Sequence, residues 1–274
     1  MPDAGRLSTR RRAALHLATG WAAITVAAEI AYPLVRGPGR SALTVLTVLT
    51  FFLASVTHAI GTRGAAWAAQ FVLVTAGGGL VAEAVGVANG VPFGAYTYAG
   101  TLGPCVLGVP LIIPLAWTMM AYPAYVVAGR LASGRPARAL VAAAALASWD
   151  LFLDPQMVAA GHWRWAHPAP TLPGVPHVPL TNYAGWACVA VLIGALLVRT
   201  LPDRPDANDT VPIVLYLWTY ASSVLAHAAF FGLPGSALWG GLGMGLVAVP
   251  LARSLRRARY ARYARGARFA RSAR

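Results

Sequence analysis

Ala147-Ser148-Trp149-Asp150-Leu151-Phe152-Leu153-Asp154-Pro155-Gln156-Met157 sets two carboxylates inside a run that otherwise reads as a membrane-spanning helix. The whole chain carries only eight acidic residues. An ionisable group in lipid is costly, so each such residue is a functional candidate by default. The i, i+4 spacing puts Asp150 and Asp154 on one helix face. That face is expected to look into a helix bundle, where water or a substrate can reach it.

Composition supports the membrane reading. Of 274 residues, 58% are hydrophobic and 11% charged, far fewer charges than a soluble domain carries. Runs of about 20 apolar residues match the thickness of a bilayer. Spans are expected near 13–35, 42–60, 65–88, 105–132, 137–160, 182–201, 210–232 and 235–252, giving an all-α, polytopic bundle. The last is short and glycine-rich, and its Gly241 and Gly245 form a small-xxx-small pair suited to close helix packing. The first apolar segment is too long for a signal-peptide core and lacks a small-residue cleavage site.

All 22 basic residues are arginine, which excludes Schiff-base chemistry and a phosphate-loop lysine. With the N-terminus placed in the cytoplasm, nineteen arginines fall on the inner side and only Arg36, Arg40 and Arg164 on the outer. This bias predicts an even number of spans, both termini inside, in the cell membrane. Residues 1–252 then form one integral domain and 253–274 a basic cytoplasmic tail. The tail reads as a polybasic segment held to anionic lipid; no nucleic-acid partner is expected. Cys105 and Cys188 lack metal-site spacing and read as small packing residues.

On these spans Glu29, Glu83, Asp154 and His227 each fall five or six residues before an outer helix end, roughly 8–9 Å below the boundary at 1.5 Å per residue. Asp150 sits one turn deeper. Four helices thus supply a carboxylate or an imidazole to one layer. Above it lie two loops rich in Gly, Pro and aromatics: one carries Phe93, Tyr96 and Tyr98, the other runs from His162-Trp163-Arg164-Trp165 to Asn182 and Trp186. Both join helices of the layer, as a lid or substrate mouth would. His162, His167 and His177 are expected to face solvent. Pro110, Pro114 and Pro123 bend span 4 around Trp117, Met120 and Tyr122, and bent helices suit a cavity wall.

The strings Phe93-Gly94-x-Tyr96-x-Tyr98, Leu102-Gly103-Pro104, Gly108-Val109-Pro110 and Pro114-Leu115-Ala116-Trp117-x-Met119-Met120 resemble the membrane carotenoid hydratase family. So do Trp149-Asp150-Leu151-Phe152-Leu153-Asp154-Pro155-Gln156-Met157 and Asn182-Tyr183-x-Gly185-Trp186. The likeness covers roughly residues 80–190, the flanking spans agreeing by hydropathy alone. One departure is His177, where the resemblance implies a Gly two residues before Pro179. The resemblance implies addition of water to the terminal isopropylidene double bond of an acyclic carotenoid, giving a tertiary alcohol without a cofactor or metal. Other membrane enzymes of the same pathway would be neighbours.

Such a reaction needs a strong proton donor. A carboxylic acid in an apolar site holds its proton because desolvation disfavours the charged form, and two adjacent carboxyls reinforce this. Asp150 or Asp154 is the expected general acid; the other, or Glu83, would orient water and take its proton. Trp117, Trp149 and Tyr122 are placed to stabilise a cation through their π faces, with Met120, Asn182, Trp186 and the loop aromatics as substrate contacts. Glu29 and His227 are candidate relays, His227 also fitting a satisfied interior histidine. The rival readings are a membrane prenyltransferase or carotenoid elongase, and a non-catalytic carotenoid- or lipid-binding or transport protein. The first needs a second Asp-rich cluster for metal-diphosphate and the second shows internal repeats; the sequence carries neither.

Overall fold

The computed structural model describes residues 4–202 and 207–272, with side chains described from Arg11 to Tyr260 apart from the 203–206 gap, and Thr9 besides. Among the described residues, eight helices are long and apolar enough to cross a membrane. They comprise α1 (Ala4–Ala31), α2 (Pro38–Arg63), α3 (Ala65–Val72) continuing into α4 (Gly78–Asn89), α5 (Ile112–Leu131), α6 (Arg135–Ala147) continuing into α7 (Asp150–Ala159), α8 (Leu180–Thr200), α9 (Thr210–Ala229) and α10 (Pro234–Ser272). The arginine-bearing side chains beyond Tyr260, on which the expected lipid contact of the tail depends, lie outside the described side chains.

Helix α5 is the axis of the bundle. It is 83% buried over its most apolar stretch, against 17–50% for the other spans, and it touches α2, α4, α6, α9 and α10. A helix surrounded on all sides must be apolar on all sides, and its sequence from Ile112 to Ala128 is. Span 4 nevertheless starts later than the hydropathy suggests. Residues 105–110 form a hairpin of β2 (Cys105–Val106) and β3 (Val109–Pro110), because Gly103 and Gly108 take positive φ and Leu107 follows at φ 52°. Cys105 and Cys188 are both exposed free thiols rather than packing residues.

Prolines set the bends. Pro123 has no N–H to offer the carbonyl of Met119, and Ser55 Oγ of α2 donates to that carbonyl instead, at 3.2 Å. Pro155 frees the carbonyl of Leu151 in the same way, and Ser236 Oγ of α10 donates to it at 2.6 Å. Span 5, expected as one helix, breaks at the Ser148–Trp149 turn, so Asp150 begins a new helix while keeping its i, i+4 relation to Asp154. A π turn, Leu73–Gly77, divides span 3; Thr75 Oγ1 spans its wide turn to Phe71 O and meets Thr118 Oγ1 of α5 at 2.8 Å.

The two aromatic loops are one structure. β1 (Tyr96–Tyr98) pairs antiparallel with β4 (Trp163–Trp165), Tyr96 opposite Trp165 and Tyr98 opposite Trp163. Side chains alternate across a strand, so the two Tyr and two Trp face the bundle while Thr97 and Arg164 are exposed. β5 (Thr171–Leu172) and β6 (Val175–Pro179) form a second hairpin. In it His177 has φ 73°, the left-handed geometry that the Gly implied by the resemblance would favour. His162 is buried, not solvent-facing: its Nδ1 lies 2.7 Å from Thr101 Oγ1 and its Nε2 has no partner. Burial holds its imidazole below the ordinary pKa, hence neutral. His167 and His177 are exposed as expected. Gly241 and Gly245 face Val224 and Tyr220 of α9.

Two stability measurements test these devices. Ser55→Ala leaves the Met119 carbonyl without a donor and is expected to cost about 0.5–2 kcal/mol. With Pro123→Ala, which restores the helical N–H, that cost should largely vanish; thermal unfolding of the four proteins in detergent closes the cycle. His177→Gly should raise Tm, since a left-handed residue with a Cβ costs about 1–2 kcal/mol, offset in part by the freedom Gly has in the unfolded chain.

Candidate active site

A cavity lies between α1, α2, α4, α5, α7, α8 and α9 under the β1–β4 ribbon. Its ≈ 160 Å³ open to water is on the order of ten times what one water molecule needs. The wall is aromatic: Phe93, Tyr96, Tyr98, Trp117, Trp149, Trp163, Trp165 and Trp186 all reach it. Trp117 and Trp186 stack at 4.0 Å with 12° between planes, and Trp149 meets Trp186 edge-on. Glycines permit this crowding. A Cβ on Gly79 would lie 2.6 Å from the Trp117 ring, and one on Gly185 2.7 Å from Pro92 O and 2.8 Å from Phe93.

Three carboxyl groups line the cavity: Glu29, Glu83 and Asp154. Each is met by an aromatic donor. Glu83 Oε2 accepts from Tyr96 Oη at 2.5 Å and Tyr98 Oη at 2.8 Å, and its Oε1 accepts from Trp117 Nε1 at 3.0 Å. Burial, with the Glu83 charge beside them, pushes both tyrosine hydroxyls well above their ordinary pKa, so they stay donors. Asp154 Oδ1 accepts from Trp163 Nε1 at 3.1 Å. Glu29, at the far end of the cavity, accepts from Trp218 Nε1 at 2.6 Å.

Asp150 stands behind Asp154. It is wholly buried and does not line the cavity. Asn182 Nδ2 donates to Asp150 Oδ2 at 2.8 Å and also to Asp154 Oδ2. The two carboxyls are within hydrogen-bonding reach of each other, while Asp150 Oδ1 meets no N–H or hydroxyl donor. Tyr183 Oη, beside both aspartates, is buried without a partner.

The cavity brings together Asp154, Glu83, Glu29, Phe93, Tyr96, Tyr98, Trp117, Trp149, Asn182 and Trp186 from the residues singled out in the sequence. Besides Asp150, three others are placed elsewhere. Met120 is fully buried and does not line it; its neighbour Met119 does. Tyr122 lies about 7.5 Å further along α5 than Trp117 at 1.5 Å per residue. There it joins a separate buried cluster, with His58 Nδ1 and Arg63 Nη1 each 2.7 Å from its hydroxyl and Arg63 paired to Asp209 at 2.7 Å. His227 is behind the wall, between Gln156 Oε1 and Ser236 Oγ, a satisfied interior histidine. Trp163, Trp165 and Tyr183 were not singled out individually. The alternation Trp-Arg-Trp opposite Tyr-Thr-Tyr was the available sign that both Trp rings turn inward. Among the described residues, no three His, Cys, Asp or Glu side chains gather as a metal site.

An eight-span membrane bundle with uncompensated carboxyl groups in an aromatic cavity is a class apart from soluble enzymes. The sequence model of a family described as "Carotenoid biosynthesis protein" matches residues 41–250, and the chain belongs to that family. It is 35% identical over 165 residues to bisanhydrobacterioruberin hydratase of Haloarcula japonica. The match covers 55% of this chain and 55% of that protein, so the chain spans about half the length of the curated relative it matches. No solved structure matches.

Glu83 offers a direct test of the donor set. Glu83→Leu would leave the Tyr98 hydroxyl and the Trp117 indole N–H without an acceptor, each costing about 1–3 kcal/mol, and would leave Tyr96 Oη only the backbone carbonyl of residue 83, at 3.3 Å. Glu83→Gln keeps one acceptor oxygen. Thermal unfolding should therefore rank wild type above Glu83→Gln and Glu83→Leu last.

Proposed function

We propose that the protein hydrates the terminal isopropylidene double bond of an acyclic carotenoid by acid catalysis, without a cofactor. The observation that carries this reading is the Asp150–Asp154 pair, bridged by Asn182 and facing an aromatic cavity through Asp154 alone. Two carboxyls in mutual hydrogen-bond reach share a proton between them, since both cannot ionise side by side in a dry site.

Asp154 is the residue that touches substrate. Its proton passes to the less substituted alkene carbon as the π electrons form the new C–H bond, leaving a tertiary cation. A water oxygen bonds to that cation, and the proton it sheds passes to a carboxylate. The sum is H₂O added across C=C, with the acid restored by return of the proton to the Asp150–Asp154 pair. Glu83, with three donors on its two oxygens, has the hydrogen-bond set of an acceptor-only carboxylate. It is suited to balance the cation and to receive the proton of water. Trp117, Trp149 and Trp186 present π faces to the same space, where a desolvated cation–π contact is worth about 2 kcal/mol or more. Asp150 is a positioning residue that supplies and withdraws the shared proton.

The name of the 35%-identical relative supports a hydratase. The prenyltransferase reading loses ground on charge. Among the described residues lining the cavity none is basic, and a diphosphate needs cations.

Expression in a host that accumulates lycopene and longer acyclic carotenoids tests the proposal. Wild type should yield a more polar pigment heavier by one water, by chromatography and mass spectrometry. Asp154→Asn and Glu83→Gln should each reduce it at least 100-fold in folded protein, the range of a lost general acid or base. Asp150→Asn, which can still donate a hydrogen bond but holds no transferable proton, should reduce it less. An unchanged pigment profile from well-folded wild type would overturn the reading.

A further inference from the structure

A second, open groove of ≈ 730 Å³ runs along the outside of the bundle at the end that carries the strands. One wall is the face of α2 bearing Ser41, Val45 and Leu49, which at 1.5 Å per residue spans about 12 Å. The other is Leu111, just before α5, and Leu115 of α5, with the loop 101–104 closing the top. Leu49, on a helix that crosses the bilayer, is 39% exposed, and Leu111, at the entry of the next such helix to line the groove, is 50% exposed. Two residues, Leu102 and Ile112, line both this groove and the carboxyl cavity. They are the partition between them.

Leu102 is unusual in its setting. Its neighbours from Ala99 to Val106 are all exposed, yet its own side chain is 4% exposed. Gly100 and Gly103 flank it at φ 72° and 91°, conformations open to glycine at little cost. The loop is fastened beside it by Thr101 Oγ1 to His162 Nδ1 and by the Ala99 N–H to His162 O at 2.9 Å. Leu102, set between two glycines and pinned at one edge, stands with Ile112 between a lipid-facing groove and the acid site.

We propose that this groove is the binding site for the apolar chain of the substrate, and that Leu102 with Ile112 forms the portal through which its reacting end passes from the bilayer to Asp154. The proposal rests on the hydratase reading for the identity of the chain as an acyclic polyene. The physical argument is continuity. The cavity holds one end of a long molecule and no more. A polyene shaft cannot be stowed among the carboxyls, and the shared wall at Leu102 leads directly to an apolar trough of the right polarity. A substrate dissolved in lipid reaches the site sideways, never crossing water.

The test places the photoreactive residue p-benzoylphenylalanine at Leu49 in the groove, or at Leu192, 65% exposed on α8, as a lipid-facing control. Full-length protein is made in a host accumulating lycopene, irradiated and purified. The Leu49 position should carry covalent carotenoid, seen as pigment migrating with the protein and a matching mass increase, at least fivefold above Leu192. Val45→Trp, which fills the groove without reaching the cavity, should lower both that labelling and the yield of hydrated pigment at least tenfold. Leu102→Trp should do the same, and Leu102→Ala should retain both. Equal labelling at the two positions, or undiminished hydration in folded Val45→Trp and Leu102→Trp, would overturn the proposal. Labelling at Leu49 with no hydrated pigment from wild type would instead sink the hydratase reading and leave the groove standing as a polyene site.

Discussion

A carboxyl group in the apolar interior of a membrane bundle is cut off from bulk water, so the protein must supply most of the donors it receives. Much of the architecture at the strand end follows from that constraint. Glu83 needs Tyr96, Tyr98 and Trp117; Asp154 needs Trp163 and Asn182; Glu29 needs Trp218. The β1–β4 ribbon exists in a place where a bare loop would suffice because its alternation aims three of these donors at the carboxyls, with Trp165 tied to Phe93 O at 2.8 Å. The donors are neutral, so they lower the cost of burial without cancelling the acidity of the site.

The contrast within the molecule is instructive. Asp209 is also buried, but it is paired with Arg63, and that guanidinium also meets the Tyr122 hydroxyl and lies over the Trp67 and Tyr122 rings. A carboxylate compensated by a fixed cation is inert, since protonating it would strand the buried cation. The cavity carboxyls have no such partner. Charge compensation therefore divides the buried acids into one that joins α2 to the start of α9 and a group left free to exchange protons.

Much of this was legible in the sequence, and the limits have physical causes. Eight apolar runs of bilayer length gave the bundle, and the i, i+4 aspartates gave the site, because both patterns are local. Hydropathy cannot see the β2–β3 hairpin, since its residues are as apolar as the helix that follows, nor the break at Ser148–Trp149, where both residues stay near helical angles. Adjacent side chains of one helix defeated the wall assignment, as Met120 and Met119 show. Tyr122 looked like a cavity aromatic because the partners that claim it, His58 and Arg63, lie some sixty residues away in the chain. His162 read as a loop residue for the same reason.

The serine–proline pairs connect these levels. A proline inside a membrane helix opens a carbonyl that must be satisfied, and at Pro123 and Pro155 it is satisfied by a serine from a different helix. Ser55 thereby ties α2 to α5 just below the cavity, and Ser236 ties α10 to α7 one turn from Asp154. The second tie continues through His227 to Gln156, itself part of the cavity wall. A bend that would loosen a helix in isolation thus becomes a fixed joint. For a pair in which one carboxyl faces the cavity while its partner, one turn away, does not, the fixed direction of α7 matters more than its length. Asp154 looks into the cavity and Asp150 away from it because the helix begins afresh at Asp150 and is held at Leu151.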